Sequence, residues 1–276
     1  MLKSLLVHIP TERLARPVID GAVSLAIARS LHVEAVSIGL ESSDVGLVVE
    51  AGGAAATAAF AATQERAQAQ ADAALAVFET EARVAGISYK TTALTGLPYE
   101  AAAAIGHLSR LHDMSVVLQP EPDRVTFDND IPLEVLFQSG GPVLFIPYTH
   151  KGPLGSKRVG IAWDGSRLAA RAVRDAAPFL SAASSITIVT VNEAKEGAPP
   201  QALAASLARR GLASAVQHID CGRRDIQPAL LSIAADEAFD LIVMGGYGHS
   251  RLQERILGGV TRGMMQSMTV PALMSH

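Results

Sequence analysis

The stretch from Leu241 to Val260 reads LIVMGGYGHSRLQERILGGV, an apolar run followed by a loop of spaced glycines. A short continuous apolar run that ends in turn residues is typical of a buried strand. Glycines after such a strand allow either a tight turn or a close approach of the backbone to an anion such as phosphate. Taken alone the loop favours the turn, so the choice depends on the rest of the chain.

The order of strand, polar turn and amphipathic helix occurs twice. One copy begins at Leu5 with LLVHIPTERLARPVIDGAVSLA, and the other begins at Arg158 with RVGIAWDGSRLAARAVRDAAPFL. This recurrence indicates an internal duplication. The first copy carries an additional alanine-rich segment, from about Leu47 to Gln70, which predicts a longer helix. The landmarks that recur in the same order are Arg13 and Arg167, Gly96 and Gly222, Asp113 and Asp240, and Pro142 and Pro271.

Continuous apolar strands alternate with helices in each copy, which is the pattern of a parallel sheet covered on both faces. We therefore expect an α/β fold of two tandem domains, residues 1–150 and 151–276, each with a doubly wound, five-stranded parallel sheet. Right-handed crossovers place the carboxyl ends of the strands at one edge, where such sheets bind ligands. The strands predicted in the second copy are Arg158–Trp163, Ile186–Val191, Ala213–His218, Leu241–Met244 and Val270–Met274, and the helices are about Leu168–Leu180, Pro200–Arg210, Ile226–Ala238 and Val260–Ser267.

Composition and charge narrow the classes of partner. The net charge of −4 and the isoelectric point near 6.1 give no basic field that would predict nucleic acid or an anionic membrane as a partner. No uninterrupted run approaches the ~20 apolar residues that cross a bilayer, and no signal-peptide core is found. The single cysteine, Cys221, fits a reducing compartment. These features predict a cytoplasmic protein.

Three features of the second copy are predicted to meet at the carboxyl edge of its sheet. Asp164 ends the first strand, Val191 ends the second, and the loop Gly245–Gly259 follows the fourth. A helix that begins after this loop adds free N–H groups and the positive end of its dipole, which suit phosphate. Asp164 is placed to accept hydrogen bonds from a ribose, and the Val191 backbone is placed to meet an adenine edge. The loop matches neither a P-loop nor a dinucleotide-binding fingerprint.

Several segments together resemble the universal stress protein family. They are AFDLIVMGGYGHSRL from Ala238, the glycine at Gly258 with Val260-Thr261 after it, VGIAWDGSRLAARAV from Val159, and VPALMSH at the end of the chain. The resemblance covers nearly the whole chain as two tandem domains, is most specific in the second copy and fades in the first. It implies Rossmann-like domains of the adenine nucleotide alpha hydrolase type, related by a pseudo-two-fold axis.

The family contains ATP binders and non-binders, and the loop resembles that of the binders. The resemblance therefore implies ATP as the ligand, with or without Mg²⁺. The family pattern usually has Ser or Thr directly after the third glycine, where this chain has Gly259. A hydrogen bond to a charged group is worth about 1.5–3 kcal/mol, so the missing hydroxyl predicts a weaker affinity. The implied contacts are Ala162, Asp164 and Val191 for the nucleoside, and Gly245, Gly248, Gly258, Gly259, Val260 and Thr261 for the phosphates and the start of the helix.

The first copy has lost this pattern. Pro10, Leu118 and Glu121 stand where the second copy has Asp164, Gly245 and Gly248. Five carboxylates between Glu121 and Glu134 would repel a triphosphate, so we expect ATP in the C-terminal domain only. We interpret this acidic run as a solvated loop. A divalent-metal site is the less favoured alternative, because the spacing fits no familiar ligand pattern; its ligands would be Asp123, Asp128 and Asp130.

Other polar residues give weaker signals. His249 and Arg251 follow the loop and are either phosphate contacts or solvated side chains. His8 and His218 lie in predicted strands and are interpreted as structural, and Cys221 as a bystander. No catalytic residue and no metal ligand is predicted. Trp163, the single tryptophan, adjoins Asp164 and is expected to report ligand binding.

The leading functional hypothesis is a nucleotide-binding stress-response or signalling module whose state is read by an unidentified protein partner. The alternative is a slow ATPase or a phosphoryl or adenylyl transferase, and a third hypothesis is a scaffold with a relic site. The glycine loop argues against the scaffold. Turnover is disfavoured because no general base, acidic pair near the loop or arginine finger can be assigned.

The last strand of each copy predicts how the domains assemble. An apolar edge strand left open is an aggregation hazard, and the family resemblance implies pairing of such edges about a two-fold axis. We expect Val143–Ile146 to pair antiparallel with Val270–Met274, giving an intramolecular pseudo-dimer. The Leu47–Gln70 segment is the candidate surface for a homodimer.

Overall fold

The computed structural model describes residues 2–41, 54–192, 197–222, 225–246 and 259–276. Five strands belong to the first copy of the repeat and five to the second. The first copy contains β1 Ser4–Ile9, α1 Arg16–Arg29, β2 His32–Leu40, α2 Ala54–Ala85, β3 Ser88–Gly96, α3 Pro98–Ser109, β4 Met114–Leu118, α4 Ile131–Gln138 and β5 Val143–Ile146. The second contains β6 Arg158–Ala162, α5 Arg167–Asp175, α6 Ala177–Leu180, β7 Ser185–Val191, α7 Pro200–Ala208, β8 Ala215–Ile219, α8 Ile226–Asp236, β9 Leu241–Gly245, α9 Val260–Ser267 and β10 Ala272–Ser275.

All ten strands form one sheet in the order β3-β2-β1-β4-β5-β10-β9-β6-β7-β8. Each half therefore has its own five strands in the same relative order, with its first strand at the centre. Neighbouring strands within a half are parallel. The predicted α/β class with doubly wound parallel sheets is confirmed.

The two halves meet where β5 pairs antiparallel with β10. Phe145 lies opposite Ala272, Leu144 opposite Leu273 and Val143 opposite Met274. All six side chains are fully buried. The predicted pairing of the two last strands is confirmed. Each strand covers an apolar edge that its partner would otherwise leave open.

Hydrophobic clusters lie on both faces of the continuous sheet, and each cluster contains residues of both halves. The strands at the centre of each half are almost continuously apolar, because helices cover both of their faces. Leu5, Leu6 and Val7 of β1 are completely buried. None of the helices in the described part of the chain is long and apolar enough to cross a membrane.

The alanine-rich segment forms most of the first half of α2, as predicted from its composition; its first residues, up to Gly53, lie outside the described ranges. The buried positions of α2 are Ala67, Ala71, Leu75, Phe78 and Ala82, which recur every three or four residues and form one helical face. This face lies very close to β2. A Cβ atom on Gly39 would lie 1.7 Å from the carbonyl oxygen of Ala67, so only glycine fits at that point.

Two predicted elements differ from the structure because of proline. The helix predicted at Leu168–Leu180 is divided into α5 and α6, with Pro178 in the first turn of α6. The last strand begins at Ala272 rather than Val270, directly after Pro271. Proline has no N–H to donate, so it interrupts the bonding pattern of a helix or a ladder.

Candidate functional site

The carboxyl ends of β6, β7 and β9 lie side by side in the second half. Ala162 at the end of β6 is in register with Val189 of β7 and Met244 of β9. The chain passes from β6 to β7 on one side, while β9 lies on the other, so the strand order reverses at β6. Such a reversal opens a crevice in which doubly wound sheets bind ligands.

Four of the predicted contact residues lie at this crevice. Ala162 ends β6, Asp164 follows it by two residues, Val191 ends β7 and Gly245 ends β9. Asp164 is exposed, whereas Ala162, Val191 and Gly245 are partly buried. The predicted positions Gly248 and Gly258, together with His249 and Arg251, lie outside the described residues.

The turn that carries Asp164 is held by local hydrogen bonds. Its Oδ1 accepts a bond of 2.9 Å from the backbone N–H of Ser166, and the Ser166 hydroxyl accepts one from Ala169 N–H and caps α5. Gly165 adopts a left-handed φ of +77°, which favours glycine. Gly197 lies so close that a Cβ there would be 2.7 Å from the Gly165 carbonyl oxygen. The carboxylate is therefore fixed at the mouth of the crevice.

Gly245 has a packing role that the sequence did not indicate. A Cβ on Gly245 would lie 2.7 Å from the backbone nitrogen of Ala169 and 2.9 Å from the carbonyl carbon of Leu168. Both atoms belong to the first turn of α5. Absence of a side chain at Gly245 thus allows the end of β9 to lie against the start of α5, whatever else the loop binds.

The next residue, Gly246, is joined to the end of the chain. Its N–H donates to the Ser275 carbonyl at 2.9 Å, and its carbonyl contacts His276 Nδ1 at 3.1 Å. The His276 ring packs edge-on against Phe137 of the first half, with the centroids 4.8 Å apart. The strand end next to the glycine loop is thereby held by groups from both halves.

The helix after the loop begins with the residues that the sequence indicated. Gly259 is the N-cap of α9 and is extended, with φ −65° and ψ 151°; its carbonyl accepts from Gly263 N–H. Val260 is the first helical residue, and Thr261 is buried. The first N–H groups of a helix have no partner within it, and they carry the positive end of the dipole.

The equivalent place in the first half is filled by the protein itself. Pro10 stands where the second half has Asp164, and Asp128 of the acidic segment supplies the carboxylate that binds this turn. Its two carboxylate oxygens accept from Thr11 N–H at 3.4 Å and from Glu12 N–H at 2.9 Å. Asp128 is 3% exposed, so the interpretation of the whole acidic run as a solvated loop is wrong at this residue.

Arg13 fills the space beside Asp128. It is 7% exposed, donates to the Gln119 carbonyl at 2.6 Å and to Asn129 Oδ1 at 3.0 Å, and lies 3.6 Å from the Glu121 carboxylate. Burial is the main cause that lowers the pKa of Arg13, against the opposing effect of the nearby carboxylates. A guanidinium and its partners thus occupy the carboxyl edge of the first half.

His8 is buried in the same cluster. Its Nε2 is 3.7 Å from Asp128 Oδ1 and has no hydrogen-bond partner. Burial lowers the pKa of His8 to about 4, with the Asp128 charge acting in the opposite direction. His8 is therefore neutral near pH 7.

One polar chain beside the candidate site was missed. Thr190 Oγ1 lies 3.0 Å from His218 Nδ1, and His218 Nε2 lies 3.1 Å from Asp220 Oδ1. The spacing of His218 and Asp220 was visible, but the register that pairs His218 with Thr190 was not. Cys221 is half-buried, and its N–H donates to Asn192 Oδ1.

The structure also bears on the expectation for Trp163 and on the alternative of a metal site. Trp163 is 6% exposed and donates from its indole N–H to the Ala198 carbonyl, so the ring packs in the core beside the site rather than lining it. Among the residues whose positions are described, no three His, Cys, Asp or Glu side chains are placed to hold a metal ion. The acidic segment containing Asp123, Asp128 and Asp130 is included in that range.

Comparison with known proteins agrees with this architecture. Residues 155–276 match the model of the Universal stress protein family. A universal stress protein from Archaeoglobus fulgidus DSM 4304 covers 98% of this chain and 97% of its own, with 16% identity and a TM-score of 0.72. A putative universal stress protein from Pseudomonas aeruginosa UCBPP-PA14 covers 99% and 93%, with 15% identity and a TM-score of 0.62. At these identities the two structures show a shared fold across both halves.

A universal stress protein solved in complex with cAMP covers 44% of this chain with 24% identity, and its TM-score of 0.33 is too low to support an assignment. No curated protein sequence matches the chain. The family match rests on the half that carries the crevice, the glycine loop and α9. Residues 155–276 therefore match the Universal stress protein family model, in a chain whose two halves share one continuous sheet.

Proposed function

We propose that this protein is an ATP-binding stress-response or signalling module that holds one nucleotide in its C-terminal domain, residues 151–276. The observation that carries the proposal is the crevice at the reversal of strand order, where exposed Asp164 follows β6 between the ends of β7 and β9. The loop that follows β9 carries the glycine spacing, and α9 begins directly after it. A phosphate chain is the ligand that such a loop and helix N-terminus suit best.

Each residue has a distinct role in the proposed complex. Asp164 accepts hydrogen bonds from the ribose hydroxyls, because its carboxylate is fixed by Ser166 and open to solvent. Ala162 and the Val191 backbone contact the base at the ends of their strands. The phosphates lie against Gly248, Gly258, Gly259 and the first N–H groups of α9 at Val260 and Thr261. A Mg²⁺ ion, where present, enters with the phosphates and neutralises part of their charge.

The filled edge of the first half supports binding in the second half alone. In the second half Ser166 N–H is bound by the neighbouring Asp164 carboxylate. In the first half the equivalent N–H, that of Glu12, is bound by the distant Asp128. Asp128 and Glu121 would repel a nucleotide, and Arg13 fills the space between them. Residues 1–150 are thus proposed to act as a degenerate domain without a phosphate loop.

Calorimetry with ATP, ADP and adenosine tests the proposal directly. We expect about one ATP per chain and binding about tenfold or more weaker in Asp164→Ala, which loses the ribose contact. Asp123→Ala removes an equally exposed carboxylate from the first half and serves as the matched control. Adenosine affinity should fall together with ATP affinity, because the ribose is common to both.

Gly248→Val should abolish ATP binding in a folded protein, because its side chain would occupy the space of the phosphates. Mass spectrometry of the ligand released from purified protein identifies the natural occupant. Measuring hydrolysis alongside binding separates the module from the slow ATPase or transferase. Two equivalent sites per chain, or no adenine nucleotide bound at all, would overturn the proposal.

A further inference from the structure

A groove of about 700 Å³ opens at the seam between the two halves, on the face covered by α1 and α5. One wall is the C-terminal turn of α1, with Ala28 and Arg29, and the other is the segment Arg174–Ser181. Its floor includes Met114 and Pro142 of the first half. We call this feature the seam groove. Its volume is within the range of pockets that hold small organic ligands, about 300–1,000 Å³.

Two guanidinium groups line the seam groove without a carboxylate of their own. Arg29 lies over the ring of Phe179, with its Cζ 4.9 Å from the ring centroid. Burial lowers the pKa of Arg29, and no charged neighbour opposes that shift. Arg174 is exposed, and none of the ion pairs formed among the described residues includes it or Arg29. A partly desolvated cation without a counter-ion is stabilised by any anion that reaches it.

The carboxylates on the groove walls are committed elsewhere. Asp113 Oδ2 accepts from Lys3 N–H at 2.7 Å and from Ser4 N–H at 2.9 Å. Asp175 Oδ2 accepts from the Ser275 hydroxyl at 2.8 Å and lies 3.6 Å from Arg171 Nε. Asp113 thus holds the start of β1, and Asp175 holds the end of β10 and the neighbouring Arg171. They nevertheless place negative charge on the walls, which disfavours a dianion more than a monoanion.

Apart from Ser181, the rest of the lining is apolar. Leu2, Pro142, Ala177 and Pro178 are partly exposed and offer hydrocarbon surface between the charged groups, whereas Met114 and Phe179 are each 1% exposed and lie beneath it. A guanidinium presents a planar fork of donors that matches the two oxygens of a carboxylate. We propose that the seam groove binds a small organic carboxylate with an apolar body, its charge held by Arg29 and Arg174 and its body packed against Leu2 and Pro178.

The seam groove is separate from the proposed nucleotide site, although the two are close in the fold. Asp175 on the groove wall is bonded to the Ser275 hydroxyl, and the Ser275 carbonyl accepts from Gly246 N–H at the end of β9. The lining of the groove contains none of the residues assigned to ATP. The two ligands are therefore expected to bind without competition.

Calorimetry of the full chain with 2-naphthoate tests the proposal, with 2-naphthalenemethanol as the probe that has the same ring system and no charge. We expect saturable binding of one 2-naphthoate per chain and at least tenfold weaker binding of the alcohol. Arg29→Gln should weaken 2-naphthoate binding about tenfold or more. Arg83→Gln, which removes an arginine from the last turn of α2 and outside the groove lining, should leave it unchanged.

A second variant separates lost recognition from lost folding. Ser181→Trp keeps both arginines and fills the groove with an indole, so it too should abolish binding while the melting temperature is retained. Equal binding of acid and alcohol, unchanged affinity in both groove variants, or no saturable binding would overturn the proposal. Displacement of 2-naphthoate by ATP would assign the anion to the nucleotide site and would overturn it as well.

Discussion

The glycine at the end of β9 offers the sharpest test of how the candidate site is built. Replacing Gly245 by alanine adds a Cβ that would lie 2.7 Å from Ala169 N and 2.9 Å from the Leu168 carbonyl carbon. Both are backbone atoms in the first turn of α5, so no flexible side chain can move aside. Either α5 or β9 must shift, and overpacking of this kind typically costs about 1–3 kcal/mol.

The neighbouring glycine is a matched control. A Cβ on Gly246 would meet Leu136 Cδ2 at 3.2 Å, which is the end of a side chain rather than backbone, and the φ of Gly246 lies outside the left-handed region. We expect Gly246→Ala to remain within about 0.5 kcal/mol of the parent. Gly245→Ala should lower the melting temperature by about 2–4 °C for each kcal/mol lost.

Thermal and urea unfolding without nucleotide are the assays, because the packing argument requires the loss to appear in the free protein. ATP affinity should also fall in Gly245→Ala, since the shift of α5 moves the turn that carries Asp164. An unchanged melting temperature in free Gly245→Ala would refute the packing argument. It would also leave phosphate contact as the only reason for glycine at this position.

Three further predictions concern the first half and the seam. Burial holds the pKa of His8 near 4 in the folded protein. Between pH 6.5 and 4 the His8 imidazole therefore stays neutral in the folded protein, whereas the same imidazole takes up a proton in the unfolded chain below about pH 6.5. Stability present above pH 6.5 should therefore be lost towards pH 4, by about 3 kcal/mol, and His8→Gln should lack this part of the acid loss in urea titrations at several pH values. Asp128→Ala should cost about 1–3 kcal/mol by urea unfolding, because it leaves the N–H groups of Thr11 and Glu12 without their acceptor and removes a negative charge near buried Arg13; Asp128→Asn, which keeps an oxygen, should cost less, and equal losses would contradict this. A fragment from Gly152 to His276 exposes the apolar edge of β10 and should dimerise or aggregate in sedimentation experiments, whereas a stable monomer would contradict the role of the seam.

The sequence was sufficient to predict the strands and the duplication, because apolar runs such as Leu5–Val7 and Leu241–Met244 have no alternative to burial on both faces. The seam could also be predicted. Each of the two short apolar edge strands can cover the other, because both belong to one chain. The antiparallel pairing of β5 with β10 agrees with that prediction.

Contacts between distant parts of the chain could not be predicted in this way. Asp128 stands in an acidic run whose composition is typical of a solvated loop, and its partners Thr11 and Glu12 are more than 100 residues away. Pro10 stands where the second half has Asp164, and the distant Asp128 accepts from the Glu12 N–H in its place. The packing of Gly245 against α5 depends on helix placement, and glycine spacing alone does not encode it.

The seam gives the first half a role that requires no ligand. Leu136 on α4 packs beside Gly246, and Arg171 of α5 donates to the carbonyls of His276 and Gly140. The strand end beside the glycine loop therefore rests on groups from both halves, and β10, which pairs with β9, is itself held by β5. A half whose own carboxyl edge is filled by Arg13 and Asp128 can still fix the geometry of its neighbour's crevice. On the proposed assignment, loss of nucleotide contacts in residues 1–150 removes a ligand site without removing the support that residues 151–276 require.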